Sequence, residues 1–142
     1  MKKPKIFIAC DTTNLAKVKE IINQSKTKKI KIGYKFGLEF MNSKKGRQFV
    51  SALRDKIIFV DLKLNDTVNT MLSAVKALKD LKINYLTVHV SSGLTALKAV
   101  KKVSGLTKIV GVTTLTSLNN KDLKLIGYSK SVKNLVIHQA KL

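Results

Sequence analysis

The stretch IIFVDLKLND, Ile57–Asp66, decides how this chain is read. Four apolar residues lead directly into Asp61, Lys63 and Asp66, with Asn65 between the last two. The apolar part reads as a strand buried on both faces, as in a parallel sheet covered by helices. Parallel α/β folds collect their chemistry at the carboxyl ends of such strands. Asp61 and Lys63 are two residues apart, so a regular strand points them to the same side. A carboxylate in that position is tolerated when a cation pairs with it.

Outward from this stretch, short apolar runs alternate with longer amphipathic ones. Strands are expected at Lys5–Cys10, Lys29–Gly37, Lys56–Leu64, Ile83–Val90 and Lys108–Leu115. Helices are expected at Leu15–Gln24, Gly46–Asp55, Thr67–Leu81, Thr95–Val103, Asn119–Gly127 and Ser131–Leu142. The clearest is Thr67–Leu81, where Met71, Leu72, Val75, Leu78 and Leu81 share one face. Strands joined by helical crossovers pair in parallel. The fold class is therefore α/β, a single domain over residues 1–142 with about five βα units. A closed (β/α)8 barrel needs eight, typically in about 250 residues, whereas an open doubly wound sheet can stop at five; an incomplete barrel with an exposed edge or gap that promotes association is what the resemblance given below implies. The sequence stops in or just after a helix, with no capping glycine beyond Leu142, and reads as a truncated chain. A dinucleotide-binding reading is disfavoured, because CDTTN at Cys10–Asn14 stands where a glycine-rich phosphate loop would follow the first strand.

Composition narrows the class. The 142 residues carry 28 Lys+Arg against 8 Asp+Glu, a net charge of +20. That balance admits a polyanionic partner. The lysines, however, are spread along the chain, clustering only at Lys26–Lys31 and Lys44–Arg47, and no ribonucleoprotein aromatic or zinc-finger signature accompanies them. This is a general surface bias, and specific nucleic-acid binding is not expected. Cys10 is alone, so neither a disulfide framework nor a cysteine metal site is expected. No apolar run approaches the roughly 20 residues of a membrane span, and the apolar part of MKKPKIFIAC is too short for a signal peptide. A soluble, cytoplasmic protein is the expectation.

Further candidates lie at the other strand ends: Asp11, Lys35, His89 and the run Thr113–Thr116. Here a resemblance enters. VDLKLNDTVNT (Val60–Thr70) resembles the active-site segment of the orotidine 5'-phosphate decarboxylase family. IACD (Ile8–Asp11), YKFGLEF (Tyr34–Phe40), LTVHVSSG (Leu86–Gly93) and VGVTTLTSL (Val110–Leu118) look like four further family motifs, in the right order and at similar spacings. The resemblance covers nearly the whole chain and about the first three-fifths of a family member.

It implies a (β/α)8-barrel fold and a cofactor-free, metal-free decarboxylation of orotidine 5'-phosphate to UMP in pyrimidine biosynthesis. It implies that Lys63 stabilises the carbanion at C6 and protonates it. Asp61 would sit beside the substrate carboxylate, and Lys35 would bind Asp61 and the ribose. Asp66 would reach across a homodimer interface, with Thr67, Asn69 and Thr70 delivered beside it as substrate contacts. Asp11 would accept from a ribose hydroxyl and Thr116 would contact the pyrimidine edge. Lys31 is an alternative to Lys35, although the motif and the spacing to Asp61 favour Lys35. His89 reads as a supporting residue, His138 as surface or packing, and Cys10 as an apolar filler.

Departures from the pattern are Asn65 for a frequent histidine, and Thr67–Val68 for the usual Ile-Pro, which loosens the loop carrying Asp66. The family's phosphate-gripping segments have no counterpart here. Remote phosphate binding energy organises the reacting end, so weak or absent turnover by the chain alone is expected. The rival readings are a Mg2+-dependent sugar-phosphate decarboxylase or synthase on the same scaffold, with Glu39 as its extra acid, and a basic nucleic-acid-binding protein.

Overall fold

A computed structural model describes residues 6–142. Five strands, β1 (Ile6–Ala9), β2 (Ile32–Gly37), β3 (Ile57–Leu64), β4 (Tyr85–His89) and β5 (Lys108–Val112), form one all-parallel sheet in the order β1-β2-β3-β4-β5. Because the order never reverses, crossovers of the usual right hand put the helices on one face. They are α1 (Leu15–Gln24), α2 (Leu38–Asn42), α3 (Gly46–Ala52), α4 (Val68–Ala77), α5 (Leu94–Val103), α6 (Asn120–Leu125) and α7 (Val132–Gln139). The expected strand and helix sequence is borne out in order and type. Lys5, placed at the start of the first expected strand, lies outside the described residues.

Alternation along each strand sorts the two faces. Tyr34, Phe36, Ile58, Val60, Leu86 and Val88 point to the helices and are buried with Val18, Ile22, Phe40, Val50, Met71, Val75 and Val100. The opposite face begins with an aromatic layer: Phe7 makes edge-to-face contacts with Phe59 and Tyr85, centroids 5.2 and 5.1 Å apart. Gly33 is required beside it, since a Cβ there would lie 2.4 Å from the Phe7 ring. Along the same face, towards the carboxyl ends of the strands, come Lys35, Asp61, Thr87 and His89.

Several boundaries differ from expectation for physical reasons. The Lys29–Gly37 strand begins only at Ile32, because Lys29 and Thr27 form a local turn in which the Lys29 N–H donates to Thr27 Oγ1 at 3.1 Å. The Thr67–Leu81 helix ends at Ala77 and tightens into a 3-10 turn at Lys79–Leu81. Arg47 meets it there, donating to the Ala77 carbonyl at 2.8 Å and to Asp80 at 2.7 Å. The short helix α2, not expected from the sequence, folds Phe40 back onto Phe36 and Phe49. The strand expected to run to Leu115 stops at Val112. Among the described residues β1 and β5 each have a neighbour on one side only, which agrees with the expected open edge.

Candidate functional site

β3 ends in a break of register. Val60 pairs with Leu86, but Leu64 pairs with Val88, so three residues of β3 bulge between two positions of β4. Lys63 sits in this bulge with φ of 50°. A side chain in the left-handed region costs roughly 1 kcal/mol. Asp61 and Lys63 do meet, as their spacing suggests, but through a bulge and not through regular alternation.

Asp61 is the centre of the site. Its residue is 8% exposed. Lys35 Nζ lies 3.1 Å from Asp61 Oδ2, and Lys63 Nζ lies 3.0 Å from Asp61 Oδ1. The Thr87 hydroxyl donates to Asp61 Oδ1 at 2.9 Å. Burial pushes the Asp61 carboxyl up, but hydrogen bonds from Lys63, Lys35 and Thr87, with the Lys35 charge, outweigh it and hold it below the ordinary value of 3.8. The result is a carboxylate that stays ionised between two ammonium groups, both of which keep part of their surface open. Such an arrangement can hold positive charge against an anion that develops nearby, without reorganising to do so.

Lys35, not Lys31, is the lysine that reaches Asp61; Lys31 precedes β2 and is exposed. Asp11 follows β1 beside Gly37, its Oδ1 3.6 Å from where a Gly37 Cβ would stand. Gly37 pairs with Asp61, which sets Asp11 at the same end of the sheet. Asp66 is exposed and does not join the array; it accepts the Thr67 N–H at 2.6 Å and so opens α4. Thr67 and Thr70 share a hydrogen bond of 3.1 Å on the first turn of that helix, where Asn69 is also exposed. Asp66 and Thr70 border a cleft of about 270 Å3 that Lys63, Asn65 and Met71 also line. Thr116 lies in the exposed turn after β5, without a contact to the array. The neighbouring Thr114 donates to the buried Gln139 at 3.1 Å, tying that turn to α7.

His89 lines a second cleft, of about 200 Å3, with Asn65, Ser91, Thr113 and Gln139. Burial and the Lys63 charge push its imidazole below the usual range, against a hydrogen bond with the Thr113 backbone. That direction favours the neutral imidazole. His138 is exposed on α7. Cys10 is fully buried, and burial together with the charge of Asp11 pushes its thiol up to about 11, which suits an inert filler. Glu39 is exposed in the first turn of α2. Among the described residues no group of three or more His, Cys, Asp or Glu side chains stands together as a metal site, and no helix is long and apolar enough to cross a membrane. Sequence reasoning missed Thr87: a threonine within LTVHV carries only a strand-forming signal until the β3 bulge is known.

Comparison with known proteins bears on this site. Residues 4–142 match the model of the "Orotidine 5'-phosphate decarboxylase / HUMPS family". The chain is 39% identical to the orotidine 5'-phosphate decarboxylase of a Wolbachia from Brugia malayi, over 96% of this chain and 61% of that protein. Against the enzyme of the same name from Ehrlichia chaffeensis it is 42% identical, over 76% and 48%. The crystal structure of orotidine 5'-phosphate decarboxylase from Lactobacillus acidophilus superposes with a TM-score of 0.81 at 28% identity, covering 99% of this chain and 66% of that one. The chain thus spans about half to three-fifths of the length of these curated relatives.

Proposed function

The chain belongs to the orotidine 5'-phosphate decarboxylase / HUMPS family, and on that premise we propose that its array serves the decarboxylation of orotidine 5'-phosphate to UMP. The observation that carries this reading is a single carboxylate, Asp61, held by Lys35 and Lys63 at the carboxyl ends of parallel strands.

Loss of CO2 from C6 leaves an electron pair in the plane of the pyrimidine ring, with little delocalisation. The Lys63 ammonium supplies charge where that pair develops and then gives it a proton; the neutral amine recovers a proton from solvent. The reaction so written needs neither metal nor cofactor. Asp61 keeps Lys63 charged and stands beside the departing carboxylate. Lys35 fixes Asp61 and a ribose hydroxyl, and Asp11 accepts from another. Thr116 meets the pyrimidine edge after its turn closes on the ligand. Asp66, which turns away from the array within its own chain, acts in a second copy of a homodimer, with Thr67, Asn69 and Thr70 beside it. Residues 1–142 act as one partial barrel domain. Turnover by this chain alone is weak, because the binding energy of a distant phosphate is only partly captured.

The test is titration of the 15N-labelled chain with UMP, with a parallel assay of orotidine 5'-phosphate consumption. Shifts should concentrate at Lys35, Asp61 and Lys63, and Lys63→Ala should remove any turnover. Shifts confined to other residues, or turnover that survives Lys63→Ala, would reject the reading. A requirement for Mg2+ would favour the sugar-phosphate branch of the family.

A further inference from the structure

The β3 bulge leaves the Lys63 N–H without a ladder partner. The register steps from Val60↔Leu86 to Leu64↔Val88, so Thr87 alone faces residues 61 to 63. Its hydroxyl lies 2.8 Å from the Lys63 nitrogen and 2.9 Å from Asp61 Oδ1, and the residue is 4% exposed. The direction of each bond is forced. A backbone N–H can only donate and an ionised carboxylate can only accept, so the hydroxyl accepts from Lys63 and donates to Asp61.

We propose that Thr87 is the positioning residue of the array: one hydroxyl holds the strained backbone of Lys63 and the carboxylate of Asp61 in a fixed relation. This rests on the reading of Asp61 and Lys63 as the reacting pair. A serine can make the same two bonds. A valine has the same shape but leaves a part-buried donor and one carboxylate lone pair unsatisfied. Among the described residues the Thr87 hydroxyl bonds the Lys63 backbone N–H and the Asp61 carboxylate, so its effect passes through the backbone of one residue and the carboxylate of the other. The charged and titratable groups around that carboxylate are Lys35 from β2, Lys63 from β3 itself and, near Lys63, His89 from β4.

The experiment follows the Asp61 carboxyl by 13C NMR against pH, and Lys63 amide exchange, in the wild-type chain, Thr87→Val and Thr87→Ser. In Thr87→Val the Asp61 midpoint should move up and Lys63 exchange should accelerate by on the order of tenfold. Both should return to wild-type behaviour in Thr87→Ser, with the exchange of Val60 and Leu86 amides unchanged throughout. An unmoved Asp61 midpoint in Thr87→Val, or a serine variant that behaves like valine, overturns the proposal. Should Thr87→Val not fold, Thr87→Cys, with its weak donor, takes its place under the same criteria. No substrate is involved, so the two readings fail separately. Moved midpoints in a chain that neither binds UMP nor turns over defeat only the functional reading. Unmoved midpoints in an active chain defeat only this one.

Discussion

Asp61 couples the site to the stability of the fold. Its carboxyl is held below its ordinary value, so the stabilisation it provides is complete above about pH 4 and is lost as pH falls through the folded-state value. Replacing it tests this directly. Asp61→Asn should be about 1–3 kcal/mol less stable than wild type at pH 7, since the ammonium groups it leaves are part-exposed and can turn to solvent. Below pH 4 the variant's stability should fall less steeply than that of wild type. Urea titrations from pH 2.5 to 7 would measure both; parallel curves would show that another carboxylate governs acid unfolding. The exposed Asp55–Lys56 pair is common to both proteins and cancels. Cys10 gives a second residue-scale prediction. Its thiol, pushed to about 11 and wholly buried, should resist a thiol reagent at pH 8 in the folded chain and react at once in urea. At this scale the sequence was legible where residue type alone carries the chemistry: Asp61, Lys63 and Lys35 are brought together as read. It was not legible where backbone geometry carries it. The bulge that sets Lys63 in the left-handed region leaves no mark on the pattern of apolar residues, and Thr87 acquires its partners only through that bulge.

Elements are placed by a few close approaches, and glycine marks two of them. Gly46 opens α3 directly under the carbonyl of Phe40; a Cβ there would stand 1.8 Å from that oxygen and 2.7 Å from Ser43 Oγ. The oxygen is backbone, and Phe40 is fixed between Phe36 and Phe49, so neither side can give way. Gly33→Ala also collides, but with the Phe7 ring, which can rotate at the cost of its contacts with Phe59 and Tyr85. Gly46→Ala should therefore cost about 2–4 kcal/mol and Gly33→Ala about 1–3 kcal/mol. The order can be checked from urea midpoints at unchanged m-value; a Gly46→Ala chain as stable as wild type would mean that α2 is free to shift. The element order was legible from apolar periodicity and crossover length. α2 was not, because its five residues are too short to show a helical period, and its place is set by Phe40 packing into the core.

For the whole molecule, two opposed tendencies follow from charge and from the open sheet. A net charge of +20 on 142 residues keeps copies apart at low ionic strength. The outer edges of β1 and β5 offer unpaired backbone groups, and apolar Ile6 and Val110 stand exposed on them, at 48% and 36%. Unprotected edges of this kind pair with other chains. Screening decides between the two, since the Debye length falls from about 10 Å at 0.1 M salt to about 3 Å at 1 M. Sedimentation should show nothing larger than the proposed homodimer in dilute buffer and a concentration-dependent rise in mean mass beyond it as NaCl is raised. Val110→Lys should flatten that rise, because it puts a charge on the β5 edge, where Val110 pairs with Thr87. Asp66→Ala should leave it unchanged, because the edge contact does not involve the start of α4. Association that instead weakens with salt would mean that copies meet through opposite charges. In that case the exposed acid Asp66, set against the lysine surface of a second copy, would be the contact to examine first.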